Sequence, residues 1–244
     1  MNYYEQSNLS YQTPVPVAMT NHEARATFYK KTYTHVALAF LGFLLVEALI
    51  FSTPALVNGI MSIFMINKWM IIGVMVAFSF ASGYVERMAY TASDKKMQYV
   101  ALGLYILLEA FIFVPLIGMA FMAGGEGTIQ NILLPGVIIT VALFAGLILT
   151  VFITGKDFTF LKAAIGIGFM VMFGIAIIGM IFGFNIGSWF SIGMIVLMAG
   201  AILYQTSQVA NAYHQEQYVA ASVAIFASFM TLLFYVIRLL SSRD

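Results

Sequence analysis

Residues 131–153 read NILLPGVIITVALFAGLILTVFI and contain no charged side chain. A helix needs about 20 apolar residues to cross the hydrocarbon core of a bilayer. Six further stretches are similar in length and composition, so the sequence predicts seven membrane spans. The predicted spans cover approximately residues 34–53, 67–86, 97–121, 131–153, 161–182, 188–206 and 218–240.

The composition of the whole chain supports this interpretation. Hydrophobic residues make up 62% of the sequence and charged residues 9%, whereas soluble domains carry about 25% charged residues. The alternating pattern of a membrane β-barrel is missing, and a helix satisfies its own backbone hydrogen bonds in lipid. We therefore predict an all-α membrane protein, with one seven-helix transmembrane domain over residues 32–244 and a disordered, cytoplasmic N-terminal tail over residues 1–31.

Several classes of function are disfavoured by what the sequence lacks. The formal net charge of +1 gives no reason to expect nucleic acid as a partner. There is no cysteine, which excludes disulfides, thiol catalysis and thiolate metal sites. The H-E-x-x-H motif of metalloproteases and the G-x-S-x-G motif of serine hydrolases do not occur. We expect no catalytic residues, no cofactor and no metal centre, and hence a protein that is not an enzyme.

The distribution of Lys and Arg predicts the orientation of the chain in the membrane. Counted over the predicted loops and tails, eight of these residues lie on the side of the N-terminus and three on the opposite side. Because Lys and Arg are enriched in cytoplasmic loops, we predict a cytoplasmic N-terminus and a C-terminus on the outside.

The tail over residues 1–31 contains the sequence Thr13-Pro14-Val15-Pro16. Alternate prolines remove backbone donors and disfavour helical geometry in the residues before them. We expect about 20 disordered residues, followed by a short amphipathic entry to the first span. Such a tail is either merely solvated or a handle that a cytoplasmic partner grips.

Small side chains recur along one face of the seventh span. In membranes, such residues mark close contacts between helices. The pattern favours a central position for this span, enclosed by the others. The small residues are Ala220, Ala224, Ala227, Ser228 and Thr231.

Four polar residues, Glu47, Glu109, Gln205 and Arg238, lie within the predicted spans. A charge at bilayer depth is costly and usually faces the interior of the bundle. Glu47 and Arg238 fall on the same side of the membrane, so an ion pair between them is allowed. The alternative is that Arg238 extends to the interface while Glu47 is protonated.

Glu109 lies near the middle of the third span and has no basic residue at its depth. It is therefore a candidate for a proton-linked or cation-linked switch. The alternative is a neutral carboxyl group that is hydrogen-bonded to a neighbouring carbonyl. Pro115 follows on the same span and is expected to kink it, because proline removes one backbone hydrogen bond.

Four short motifs in the C-terminal part of the chain resemble the Bax inhibitor-1 (TMBIM-like) family. They are TGKDFTFL at residues 154–161, AGAILYQTS at 199–207, EQYVAA at 216–221 and FASF at 226–229. The bacterial YccA-like branch of that family is the most similar. The resemblance implies six helices around a central seventh, and a location in the bacterial inner membrane.

The chain departs from the family at two positions. Better-studied members are linked to a pH-sensitive calcium leak, attributed to two aspartates on helices six and seven that share a proton. These aspartates correspond to Gln205 and Ser228, which do not titrate but are able to hydrogen-bond to each other. In the family, a basic residue near the position of Arg87 closes helix two and would pair with the acid that is missing here. We expect Arg87 to face the cytoplasm, beside Glu86.

The resemblance leads to two hypotheses about function. The YccA-like branch implies that this protein binds the membrane protease FtsH and modulates the action of FtsH on other membrane proteins. A protruding N-terminal tail fits this role, because such a protease engages exposed cytoplasmic termini. The alternative is a pH-influenced leak for cations, Ca²⁺ or H⁺, that uses Glu109 and Glu47 in place of the aspartates. A small-molecule transporter is disfavoured, because no inverted repeat is recognisable.

Overall fold

The computed structural model describes residues 15–183 and 187–242, apart from the side chain of Lys68. Eight α-helices occupy this part of the chain, and seven of them are long and apolar enough to cross a membrane. This confirms the predicted all-α, multi-pass fold. The helices are α1 (His22–Phe51), α2 (Pro54–Met65), α3 (Lys68–Thr91), α4 (Lys95–Gly124), α5 (Leu134–Thr154), α6 (Leu161–Phe182), α7 (Gly187–Asn211) and α8 (Tyr218–Ser241).

The short helix α2 is not among the predicted elements. It has 12 residues, too few to cross a bilayer, and it packs between α1, α3 and α4. Pro54 stands in its first turn, where the missing N–H costs nothing. The side chain of Asn67 then accepts a hydrogen bond of 2.9 Å from the backbone N–H of Met70 and caps α3.

The helix α8 lies at the centre of the bundle, as predicted from its small residues. Residues 218–230 are buried without a break, and α8 packs against α1, α3, α4, α5 and α7. The helix α6 packs chiefly against α7 and lies on the outside of the bundle. Close packing around α8 follows from its small side chains, which let neighbouring backbones approach.

Aromatic contacts fix how α1, α4 and α8 face one another. The ring of Phe113 on α4 lies 5.0 Å from that of Phe43 on α1 and 5.6 Å from that of Phe234 on α8. Two turns earlier on α4, the ring of Tyr105 lies 6.2 Å from that of Phe226 on α8. One face of α4 is therefore held against the central helix, and α4 continues as a single helix through Pro115.

The first helix begins within the range predicted as the tail, residues 1–31. The helix α1 already begins at His22, and the side chain of Asn21 caps it by accepting a hydrogen bond of 2.8 Å from the backbone N–H of Ala24. Before the helix, Val17 is completely buried. Val17 thus docks on the bundle ahead of α1. Residues 1–14 of the predicted tail lie outside the described residues.

Candidate functional site

The candidate residues from the sequence do not converge on one point. Glu109 and Glu47 are buried, with 3% and 5% of their surfaces exposed. Gln205 and Arg238 are half-buried, and Arg87 is exposed. Glu109 interacts electrostatically with a second carboxyl group, that of Glu86, and the site is built around this pair.

Glu109 faces the central helix. It lies one turn after Tyr105 and one turn before Phe113, and these two residues contact Phe226 and Phe234 of α8. Residues four apart on a helix share a face, so Glu109 lies on the face of α4 that carries the two contacts. Among the described residues, its Oε1 atom has no hydrogen-bond partner.

A second carboxyl group reaches the same place from α3. The hydroxyl of Tyr105 donates a hydrogen bond of 3.3 Å to Oε1 of Glu86, and Glu86 and Glu109 interact electrostatically. Tyr105 itself is only 3% exposed. We call Glu86, Tyr105 and Glu109 the acid cluster.

The sequence did not indicate that Glu86 belongs to this site. The second span was predicted to end near residue 86, whereas α3 continues to Thr91. Glu86 therefore lies within the helix, turned toward Tyr105 and not toward the exposed Arg87. The neighbouring Arg87 made Glu86 resemble an interfacial residue, although successive residues on a helix point in different directions.

Tyr213 connects the acid cluster with the N-terminal segment, residues 15–20. Its side chain is buried in the connection between α7 and α8 and interacts with the carboxyl of Glu86. Burial, and to a smaller extent Glu86, raises the pKa of the Tyr213 phenol, which therefore stays neutral. Its backbone carbonyl accepts a hydrogen bond of 2.8 Å from the N–H of Val17. Pro16 pairs with His214 beside it.

The TGKDFTFL motif holds the connection between α5 and α6 against α7. Asp157 accepts hydrogen bonds from the hydroxyl of Thr159 at 2.6 Å and from that of Ser207 at 3.0 Å. The backbone N–H of Phe158 donates to Ser207 at 3.0 Å. The bonds from Thr159, followed by the one from Ser207, hold the pKa of Asp157 below its usual value. The motif is therefore explained by docking of a loop at the same end of the bundle as the N-terminal segment.

An ion pair and two cation–π contacts close the same end between α1, α4 and α8. Lys95 pairs with Glu216, and its Nζ atom lies 5.2 Å from the ring centre of Tyr218. Lys31 lies 5.1 Å from the same ring. These contacts join the start of α4 to the start of α8 through exposed Lys and Glu side chains and the buried ring of Tyr218.

The Glu47–Arg238 ion pair that the sequence allowed is not formed. Both carboxyl oxygens of Glu47 lack a hydrogen-bond partner among the described residues. The guanidinium of Arg238 instead lies 5.1 Å from the ring centre of Phe190 on α7. The two residues point to different helices: Glu47 shares a face of α1 with Phe43, which contacts α4.

The sequence also allowed a hydrogen bond between Gln205 and Ser228. Among the described residues, no such bond is formed. The hydroxyl of Ser228 donates to the carbonyl of Ala224 at 3.3 Å. Serine commonly satisfies itself in this way inside a helix. The positions of the family's two acids therefore form no polar contact with each other in this chain.

The described residues also contain no group of three or more His, Asp or Glu side chains arranged to hold a metal ion. The acid cluster offers two carboxyl groups that both interact with one phenol. A phenol hydroxyl both donates and accepts hydrogen bonds, and a protonated carboxyl group does the same. Such a group of side chains is able to hold and pass a proton.

Comparison with known proteins places the chain in a family. The family model described as "Inhibitor of apoptosis-promoting Bax1" matches residues 25–244, which includes all seven long helices almost completely. No curated protein matches the chain. With a match over most of its length and with seven potential membrane spans, the chain belongs to the Bax inhibitor-1 family of multi-pass membrane proteins.

Proposed function

We propose that the protein is a non-enzymatic pathway for a pH-influenced leak of cations, Ca²⁺ or H⁺, across the membrane. The observation that carries the proposal is Glu109, a buried carboxyl group that faces the central helix with one oxygen unpartnered among the described residues. An ionisable residue inside a membrane domain is expensive and typically marks an ion or proton pathway. Carboxylate oxygens are also the ligands that Ca²⁺ prefers.

The packing around Glu109 corresponds to a closed pathway. Phe113, Phe226 and Met230 are almost completely buried between α4 and α8. An ion that reaches Glu109 would need these two helices to separate. A change in the charge of Glu109 supplies a reason for separation, because an ionised carboxyl group between apolar rings is unfavourable unless water enters.

Calcium entry into proteoliposomes tests this proposal. Glu109→Gln keeps the size and polarity of the side chain but removes its charge. It should lower the rate of entry at least about tenfold, which is about 1.4 kcal/mol in the barrier.

Glu47→Gln is the matched control. Glu47 is also a buried carboxyl group, but it lies on α1 and is not part of the acid cluster, so this variant should leave the rate within about twofold. Equal rates for the wild type and Glu109→Gln would refute the assignment.

The second candidate is the modulator of the membrane protease FtsH that the YccA-like branch implies. One observation favours it: the N-terminal segment is docked through Val17 at the end of the bundle that also carries the α7–α8 connection. A protease that pulls on the N-terminus would have to detach Val17 first. The docking would therefore set how readily the chain is engaged.

Co-purification with FtsH and measured turnover test the second candidate. Deletion of residues 1–14 should weaken association and slow turnover, because it shortens the chain ahead of the docked segment. Val17→Asp should speed turnover, because it releases that segment. Unchanged association and turnover in both variants would leave the leak as the remaining candidate.

The proposed location is the bacterial inner membrane, with a cytoplasmic N-terminus and a C-terminus on the outside. Its support is the excess of Lys and Arg on the N-terminal side and the odd number of long helices. Reporter fusions at the two termini test the orientation. Opposite compartments are expected, and a common compartment would overturn it.

A further inference from the structure

We propose that Glu86, Tyr105 and Glu109 form a single proton-binding unit, in which the two carboxyl groups exchange one proton through the Tyr105 hydroxyl. The inference rests on the proposed function in one respect only: if the protein is a leak, the unit makes that leak respond to pH. The unit itself is defined by its geometry and is testable without any measurement of transport.

The side chain of Tyr105 interacts with both carboxyl groups. It donates to Oε1 of Glu86 at 3.3 Å, which is long for an O–H···O hydrogen bond. Glu109 lies one turn further along the same face of α4, and its Oε1 atom lacks a partner among the described residues. This leaves room for a second hydrogen bond in which a protonated Glu109 donates to the Tyr105 oxygen.

Proton exchange within the unit requires no other reactant. In the first state Glu109 is protonated and donates to Tyr105, and Tyr105 donates to the Glu86 carboxylate. The Glu109 proton then moves to the Tyr105 oxygen while the Tyr105 proton moves to Glu86. The second state has a protonated Glu86, an ionised Glu109 and an unchanged neutral phenol, so the total charge is conserved.

Among the described residues, no cation forms an ion pair with Glu86 or Glu109. The ion pair recorded among the described residues joins Lys95 to Glu216 at the end of the bundle, and Arg87 is exposed. Two adjacent carboxylates in a poorly polarisable interior repel each other strongly. At least one of the two carboxyl groups should therefore keep its proton.

The other groups near the unit are neutral. From α3, Ser82 interacts with Tyr105. From the α7–α8 connection, Tyr213 interacts with Glu86, and Tyr213 in turn interacts with Tyr90 of α3 and Tyr204 of α7. The central helix contributes the apolar Phe226, and α1 places Gly42 against Ile106 of α4.

In this arrangement, protons would enter the unit at Tyr213. It lies in the connection at the end of the bundle, while Glu86 lies inside α3 and Glu109 lies deeper along α4. The order Tyr213, Glu86, Tyr105, Glu109 therefore leads from the end of the bundle toward its middle. Protons would reach the unit from the side of the membrane that carries the N-terminal segment.

Infrared titration of the purified full-length protein in lipid nanodiscs tests the unit directly. Carboxyl groups give separate signals when protonated and ionised, so their titration is followed without transport. In the wild type, Glu86 and Glu109 should titrate in two steps that belong to the pair. Glu86→Gln should remove one step and shift the midpoint of the other by at least about one pH unit, and Glu109→Gln should do the same.

Two further variants make the test specific. Tyr105→Phe keeps both carboxyl groups and the ring contact with Phe226 but removes the bridging hydroxyl, so it should change the separation of the two steps. Glu47→Gln should remove one independent signal and leave both steps of the pair in place. Midpoints for Glu86 and Glu109 that stay unchanged when the other is substituted would overturn the proposal.

The outcome separates the unit from the proposed function. Coupled titration without cation flux would support the proton-binding unit and refute the leak. Flux that depends on Glu109, together with independent titration of Glu86, would support the leak and refute the unit. A folded state for each variant is checked by its helical circular dichroism, and the conservative Tyr105→Phe variant keeps the test available if a Gln variant does not fold.

Discussion

The backbone N–H of Val17 donates a hydrogen bond of 2.8 Å to the carbonyl of Tyr213. This bond joins the segment before α1 to the connection that leads into the central helix. Pro16 pairs with His214 in the same place, and the side chain of Val17 is fully buried. The first and last spans are thereby tied together at the end of the bundle from which Tyr213 reaches Glu86.

Val17→Asp should release the N-terminal segment. Exposing a buried valine forfeits about 1.5–3 kcal/mol, and a carboxylate in its place would not tolerate the apolar site. We expect a lower melting temperature in detergent and faster hydrogen exchange around Tyr213. Met19→Asp is the matched control, because Met19 is 77% exposed, and it should behave like the wild type. Equal exchange in the two variants would contradict the docking.

Asp157 should stabilise the fold in a pH-dependent manner. Its pKa is lowered in the folded state, chiefly by the hydrogen bonds from Thr159. The stabilisation is therefore fully present above the unfolded-state pKa of about 3.9 and is lost as the pH falls through the lower, folded-state value. Asp157→Asn should consequently destabilise the protein at neutral pH and lose this effect in acid.

Melting temperatures of the wild type and Asp157→Asn, compared over a series of pH values, check this prediction. The difference between them should be constant near neutrality and should shrink in the acid range. The exposed neighbour Lys156 provides the control, and Lys156→Gln should show no such trend. A difference that grows toward low pH would have the wrong sign for this account.

Gly136 should be required for close packing of α5 on the central helix. A Cβ atom at this position would lie 2.9 Å from Cγ1 of Ile237, whereas at Gly146 on the same helix it would meet nothing within 4 Å. Overpacking of this kind typically costs about 1–3 kcal/mol, so Gly136→Ala should lower the melting temperature. Gly146→Ala should be neutral or stabilising, since alanine favours helices more than glycine does. Equal melting temperatures would show that α5 and α8 are more loosely packed than described.

The sequence was sufficient for the parts of the fold that depend on local composition. Each long apolar stretch forms a helix, and the small residues of α8 indicate its central position. The helix α2 was missed because 12 apolar residues fall below the length of a span. Docking of Val17 was missed because it depends on a partner about 200 residues away, which no local pattern reveals.

The candidate site was predicted less completely. The sequence indicates how deep in the membrane a residue lies, but it does not indicate which neighbouring helix the residue faces. The depths of Glu47 and Arg238 allowed an ion pair, yet their helices turn them to different neighbours. Glu109 was identified from its depth alone. Its association with Glu86 depends on how α3 and α4 are rotated against each other, and only the packed structure provides that information.

The most direct test of the whole account is the pH dependence of calcium flux through wild-type protein, Glu86→Gln, Glu109→Gln and the double variant, measured in identical proteoliposomes. If the acid cluster controls the leak as one unit, flux through the wild type should change strongly from about pH 6 to about pH 8. Each single variant should shift the midpoint of that response, because one titrating carboxyl group remains, and the double variant should abolish it. A wild-type pH response that survives in the double variant would contradict the central claim.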